Sequence, residues 1–577
     1  MKNKKSKAGS FQKDHKTPGC FISPGIDTTL QKRWVELTFL GILFLIALLV
    51  RLSVLTYYRI PLAGDAAIYG KIAWGIKTGH GLHWWSVVWS PFYPFMTFLF
   101  SLFTKDLESA SYAVSVFLGS LTVVPFFYLA KKILAYPTAY LGTLLVVFFP
   151  ASVVISAVPL SEATYSFFLM LALLCGWLLL SKKSYLYAVL FGILGGICYL
   201  TRPEFLVAFA FFLLLFLVIG LKRRIEKKAQ TMIMLIVSLC GFSILALPYI
   251  GFMHSQTGHW ILSGKTAHNI LKQYAYSGED NYLKMRKSFA EVLDGLTPDG
   301  EVKGKVLLGK ESMTGLLTTP GFFGNYLKRT LAGIKKVNSF FLLFFLPSLY
   351  YLFSWKLDKE GGVKRIFLLC AFTPLLTMPI FFSPSGRLVE PYSPLLVMLS
   401  VAGIINLKNT LTAYVRRPVV PKKIRLGSLV ILSTVAFLSI FSWAETTRKA
   451  DDYANQFQSI KRGTEEFKQL GLWADRNLPP GAVVMFLTGD TFFFYCNRVT
   501  YTVPYAPFES IIEFAKKNKI DYLVISLGKE ASWREDLTFL LEPLVDPSKT
   551  PEDSRLKLED IYQAPSGLGA VVYKFEY

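Results

Sequence analysis

Histidine and cysteine are scarce in this chain, six of each in 577 residues, and no spacing among them reads as a metal site. No CxxC-type pair points to structural zinc, and Cys175, Cys198, Cys240 and Cys370 all fall inside apolar runs. With Cys20 in the N-terminal tail, Cys496 is the only thiol of the C-terminal region and has no disulfide partner there. His80 and His83 share a Gly/Trp-rich loop, but no third ligand is evident, so they read as polar interface residues. The C-terminal region has no glycine-rich phosphate loop, the chain shows no nucleotide-sugar site, and no internal repeat is visible.

What the chain has in abundance is apolar length. Hydrophobic residues make up 53% and aromatics 15%, more than one soluble core could bury at this size. A hydrocarbon layer about 30 Å thick demands helices of about 20 apolar residues. Eleven runs meet that description, at 36–57, 108–130, 138–158, 161–180, 185–200, 203–220, 231–252, 337–355, 364–382, 388–406 and 427–444. The expected fold class is a polytopic α-helical membrane protein.

The formal charge of +23 would raise the question of nucleic acid in a soluble protein. Here it is placed in alternate connectors: the tail, Lys131-Lys132, Lys182-Lys183, and the basic stretches 222–228, 356–365 and 416–425. The connectors at 157–161, 201–204 and 383–387 hold almost none. That alternation predicts a cell inner (plasma) membrane protein with a cytoplasmic N-terminus, an extracytoplasmic C-terminus and no nucleic-acid partner. Residues 1–33 lack an apolar core and cleavage site, and read as a cytoplasmic basic tail.

The expected organisation is that tail, a transmembrane catalytic domain over 34–444 with outer loops 58–107 and 253–330, and an extracytoplasmic soluble α/β domain over 445–577. In the first loop a helix is predicted from Asp65 to about Lys77. It is followed by SPFYPFMTFLFSLF, too short to span and suited to the interface. In the last region TEEFKQLGLWADRNL and ESIIEFAKKNKI read as helices, and VVMFL, DYLVIS and VVYKFEY as strands.

Ionisable side chains at the rim of membrane helices are expensive and therefore candidates for function. Arg51, Asp65, Glu162, Arg202, Glu204, Arg387 and Glu390 all fall near one expected membrane boundary. Each has a plainer reading. Arg51 could snorkel, Glu162 could be a first-turn acid with Ser161 as its cap, and Arg202 with Glu204, or Arg387 with Glu390, could be ordinary loop pairs. Asp65, after a glycine and at the head of an interfacial helix, is least easily explained that way.

The order Arg51, GDAAIY, WSPFYPF, PLSEATYSFFLMLAL, LTRPEFL and SGRLVEPYSPLLVML resembles the GT-C membrane glycosyltransferases over residues 36–405. The branch it looks most like holds the dolichyl-phosphate-mannose protein mannosyltransferases and the bacterial lipid A aminoarabinose transferases. The resemblance implies transfer of a sugar, with inversion, from a polyprenyl-phosphate donor to an acceptor hydroxyl on a glycolipid, cell-surface polymer or protein. It makes Asp65 the first-loop acid and general base, and Tyr69 the loop tyrosine. Ala66 stands where the family often has a second acid, so a role needing adjacent carboxylates does not transfer.

The residue types fit that chemistry on their own. A hydroxyl is a poor nucleophile until a carboxylate accepts its proton, and Asp65 is the expected catalytic residue. Negative charge then grows on the lipid phosphate, where Arg202, Arg387 and Arg51 are the expected donor-phosphate cations. Glu162, Tyr69, Glu204 and Glu390 are assigned to orienting the acceptor or substrate, with holding Arg202 as the other option for Glu162. No metal ligand set is assigned, and no cofactor is required; a divalent metal is compatible with the chemistry and left open because Asp65 has no nearby DxD. Two rival readings are a secondary transporter and a surface-polysaccharide polymerase or ligase.

Overall fold

A computed structural model describes residues 28–415 and 463–577, together with residue 444. Within these ranges it omits 80–85, 135, 222–224, 259, 266–346, 354–358, 382–388, 488–489, 505–506, 528–533, 552 and 565–566. Contacts divide the chain into a small unit ending at Ile42 and a second, Leu43–Tyr577, which contains every candidate site residue.

The helical part begins with α1 (Thr28–Tyr58), α2 (Asp65–Thr78), α3 (Phe92–Phe100), α4 (Leu107–Leu121) and α5 (Val123–Ile133). It continues with α6 (Tyr136–Phe148), α7 (Pro150–Ala157), α8 (Ser161–Lys182), α9 (Tyr185–Thr201), α10 (Phe205–Leu221), α11 (Ile225–Thr257), α12 (Lys359–Phe381) and α13 (Ser393–Val415). Among the described residues, five helical stretches are long and apolar enough to cross a membrane: Arg33–Thr56, Leu107–Ile133, Ser161–Lys182, Lys228–Gln256 and Glu390–Leu407. A sixth arises if α6 and α7, bent by 49°, count as one broken span. These apolar helices fit a membrane protein, and the described residues do not confirm the expected count of eleven. The runs at 185–200 and 203–220 form shorter 17-residue helices. All of the run at 427–444 but its last residue, and most of 337–355, lie outside the described residues, as do most of the second outer loop, His80 and His83.

Prolines set the breaks that matter. Pro150 stands at the first position of α7, where its missing N–H costs nothing, and Phe149 before it is extended. Pro203 likewise disfavours helical geometry at Arg202, whose φ of −148° and ψ of 110° end α9. The helices pack through aromatic layers. Phe209 of α10 stacks on Phe242 of α11 at 4.6 Å and on Phe191 of α9 at 5.3 Å.

The C-terminal part is a five-stranded sheet. Helix α14 (463–477) leads to β1 (Val483–Phe486), α15 (Asp490–Tyr495), β2 (Val499–Thr502), α16 (Phe508–Lys517), β3 (Tyr522–Ser526), β4 (Leu556–Gln563) and β5 (Gly569–Phe575). The strand order is β2-β1-β3-β5-β4, with β1 parallel to β2 and β3, and β5 antiparallel to β3 and β4. Because side chains alternate along a strand, both faces are buried. Met485, Leu523 and Val571 pack under α16, and Val484, Val524 and Val572 pack under α14 and α15. The predicted helices and strands of this region are all present. Helix α15 and strands β2 and β4 are not among the elements expected from the sequence.

Candidate active site

The polar residues collect where helices end. Helix α8 starts at Ser161, α9 stops at Thr201, and α13 follows a 3₁₀ turn over Glu390–Tyr392. Arg202 is the centre of the cluster. It is only 5% exposed, its Nη1 lies 3.2 Å from Glu162 Oε1, and its Nε donates to Glu204 Oε1. A buried guanidinium is tolerable only when paired, and here two carboxylates from different elements do so. Its plane also sits 5.8 Å from the Tyr165 ring centre.

Two tyrosines that sequence reasoning passed over complete this corner. Tyr165 Oη and Tyr392 Oη are 2.8 Å apart and both side chains are buried, which joins the start of α8 to the segment holding Glu390. Ser393 Oγ meets Ser152 Oγ of α7 at 2.8 Å beside them. The usable signal was position: Tyr165 stands three residues after Glu162, on the same face of a helix, and Tyr392 two after Glu390.

Asp65 occupies the first turn of α2, partly exposed, with Gly64 as the capping residue. One turn on, the Tyr69 hydroxyl donates to Ser161 Oγ at 3.4 Å, which brings the α2 face to the residue beside Glu162. Tyr69 is clamped edge-on by Tyr93 and Trp89 at 5.2 and 5.6 Å. Tyr93 in turn donates to the Ser111 carbonyl at 3.0 Å. Ser161 is not the cap expected of it: extended Leu160 is, and no side chain caps α8. The serine hydroxyl meets Tyr69 instead.

Glu162, Arg202 and Glu204 are thus in direct contact, and Tyr69 reaches them through Ser161. Arg51 is elsewhere engaged. It is 1% exposed, and its Nη1 donates to the carbonyls of Ala47 at 3.2 Å and Val147 at 3.4 Å. Val147 stands in the last turn of α6, whose terminal carbonyls lack intrahelical partners, so Arg51 caps the helix end at the α6–α7 bend. Arg387 lies outside the described residues. Among the described residues no group of three or more His, Cys, Asp or Glu is placed to hold a metal ion.

The other side of α2 meets the sheet region. Leu62, Ala66, Ala67 and Ala73 share a core with Phe494 and Tyr495 of α15. Lys71 is buried there, donates to the Arg498 carbonyl and lies 4.3 Å from the Trp74 ring centre. Burial pushes its ammonium down from 10.5 to about 7, with Cys496 and Asp475 opposing that shift and Arg498 adding to it. Between these two values the unfolded chain binds a proton that the folded chain does not, so stability rises with pH from about 7 to 10.5 and the cost is full below 7. The apparent unfolding midpoint in detergent should therefore climb between about pH 7 and pH 9 more steeply for the wild type than for Lys71→Met. Equal pH responses would show that Lys71 is not buried as a titrating group.

No protein-family model and no curated protein matches the sequence. Solved structures do match in fold. The Archaeoglobus fulgidus oligosaccharyltransferase, tethered to an acceptor peptide containing the NVT sequon, aligns with a TM-score of 0.52 at 15% identity, covering 94% of this chain and 74% of that one. The same enzyme in its apo form gives 0.52 at 14%, covering 94% and 75%. ArnT from Cupriavidus metallidurans bound to undecaprenyl phosphate gives 0.53 at 12%, covering 93% and 98%. Both proteins are GT-C glycosyltransferases, and this chain shares their fold.

Proposed function

We propose that the chain is an inverting glycosyltransferase that moves a sugar from a polyprenyl-phosphate donor to an acceptor hydroxyl at the outer face of the membrane. The observation that carries this reading is Arg202, a buried cation held at a proline-made helix end by Glu162 and Glu204, with Ser161, the chain neighbour of Glu162, accepting from Tyr69 on the helix that bears Asp65. The shared fold supports it, since one structural neighbour binds undecaprenyl phosphate and the other an acceptor peptide.

In this mechanism the Asp65 carboxylate accepts the proton of the acceptor hydroxyl as its oxygen attacks the anomeric carbon. The bond from that carbon to the phosphate oxygen breaks on the opposite side, its electron pair stays on the phosphate, and the configuration inverts. Arg202 receives the growing charge. A guanidinium carries five donors; Glu162 and Glu204 take Nη1 and Nε, and Nη2 is the edge assigned to phosphate. Arg387, in the connector before the Glu390–Tyr392 turn, is the second cation. Arg51 supports the α6–α7 break in this account. Tyr69 and Glu390 orient the acceptor, and residues from 445 onward form an extracytoplasmic α/β domain.

The test is lipid and glycan mass spectrometry of cells with and without the active protein. The expected result is loss of one sugar mass from one acceptor, with its polyprenyl-phosphate precursor accumulating. Altered solute uptake with every glycan unchanged would favour a transporter and overturn the proposal.

A further inference from the structure

The segment leading into α2 is held from outside. The Tyr112 hydroxyl of α4 accepts from the Ile60 amide at 3.2 Å and donates to the Ile60 carbonyl at 2.8 Å. Two residues on, the Leu62 amide donates to Tyr495 Oη of α15 at 3.0 Å, and that hydroxyl donates onward to Glu108 Oε2 at 2.8 Å. Lys468 of α14 closes the group, 3.1 Å from the same carboxylate oxygen and 4.9 Å from the Tyr495 ring centre. The Tyr495 hydroxyl of α15 thus accepts and donates at once, and Leu62 lies three residues before Asp65.

Two further features make α2 dependent on that link. Gly64, between Leu62 and Asp65, has a φ of 52°, which glycine adopts readily, and as the N-cap it offers α2 no side-chain cap. Gly70, one turn past Ala66, lets the Phe494 ring lie directly on the helix, since a Cβ there would meet Phe494 Cε2 at 2.6 Å. Helix α2 is thus seated on α15 by Phe494 in its middle and Tyr495 at its entry, with Lys71 reaching the Arg498 carbonyl just beyond α15. Burial and the neighbouring Glu108 raise the Tyr495 phenol above its ordinary value, so it keeps the proton it donates.

We infer that the C-terminal sheet region is a working part of the active site, with Tyr495 as the positioning residue that sets the place of the Asp65 carboxylate through Leu62. The sense of "active" rests on the glycosyltransferase reading, whereas the mechanical coupling does not. Precise placement is what a general base requires, and a misplacement of about 1 Å costs on the order of a hundredfold in rate.

Tyr495→Phe keeps the ring and removes only the hydroxyl; Glu108→Ala, on α4, removes the hydroxyl's acceptor and the Lys468 ion pair while changing no residue of α2 or α15. The purified full-length protein is followed by hydrogen exchange of the peptide containing residues 58–72, beside the sheet peptides, and by steady-state transfer. Both variants should speed exchange in that peptide while the β3 and β5 amides keep their protection. Both should lower kcat on the order of ten- to a hundredfold with KM for the lipid donor within about twofold. Unchanged exchange in both variants, or faster exchange with unchanged kcat, overturns the inference. If the wild type transfers no sugar, the functional reading falls, and the exchange result alone decides whether Tyr495 holds the Asp65 segment.

Discussion

Arg202→Met should both unseat the fold and abolish transfer, the largest combined effect expected of any single substitution in this protein. Removing the guanidinium strands Glu162, 2% exposed, and Glu204 without their shared cation. Breaking a buried pair from one side typically costs about 3–5 kcal/mol, because the surviving charge stays desolvated. Two carboxylates on one cation place this site toward the upper end. Glu162→Gln should cost much less, since Arg202 keeps Glu204 and an amide still accepts from Nη1. The combination Arg202→Met with Glu162→Gln should recover part of the lost unfolding midpoint and none of the transfer. That split separates the structural role of the cluster from its phosphate role. Recovery of transfer in the double variant would show that Arg202 does nothing beyond balancing Glu162.

Asp65→Asn should lower transfer by about 10²–10⁴-fold, the range general base catalysis contributes. At about 1.4 kcal/mol per tenfold, that is a change of roughly 3–5 kcal/mol in the barrier. The stability effect should be far smaller. Asp65 is a partly exposed first-turn acid, and such a charge at a helix N-terminus contributes about 0.3–1 kcal/mol. Membrane insertion and abundance should therefore match the wild type. Asp65→Glu keeps the carboxylate but moves it by one methylene, and should fall short of the wild type while retaining more activity than the amide. A purified Asp65→Asn protein with wild-type turnover would remove Asp65 as the base.

How much of this was legible in the sequence follows the range of the interaction. Helix α2 was readable to within a residue, because a glycine and an acid mark its start and its apolar positions recur at helical spacing. The strands β1, β3 and β5 were readable because short β-branched runs sit between turn residues. The Arg202–Glu204 contact spans two residues and is written in LTRPEFL; its pairing with Glu162, forty residues away, was offered as one option for that acid. The link from Leu62 to Tyr495 spans 433 positions, and no local pattern encodes it. Tyr165 and Tyr392 were missed because 29 tyrosines in an aromatic-rich chain give none of them contrast. Arg51 was grouped with the phosphate cations because its charge at a membrane rim is visible in sequence, whereas the bent carbonyl end of α6 that occupies it is not.

The most direct measurement mixes the purified protein in a lipid disc with an acceptor and a polyprenyl-phosphate sugar labelled at its anomeric carbon, and follows a single turnover by rate and by product anomer. The account predicts rapid transfer with the anomeric configuration inverted, and a rate on the order of a hundredfold slower or more for Asp65→Asn. A product that retains the donor's configuration, or equal single-turnover rates for the two proteins, would contradict it.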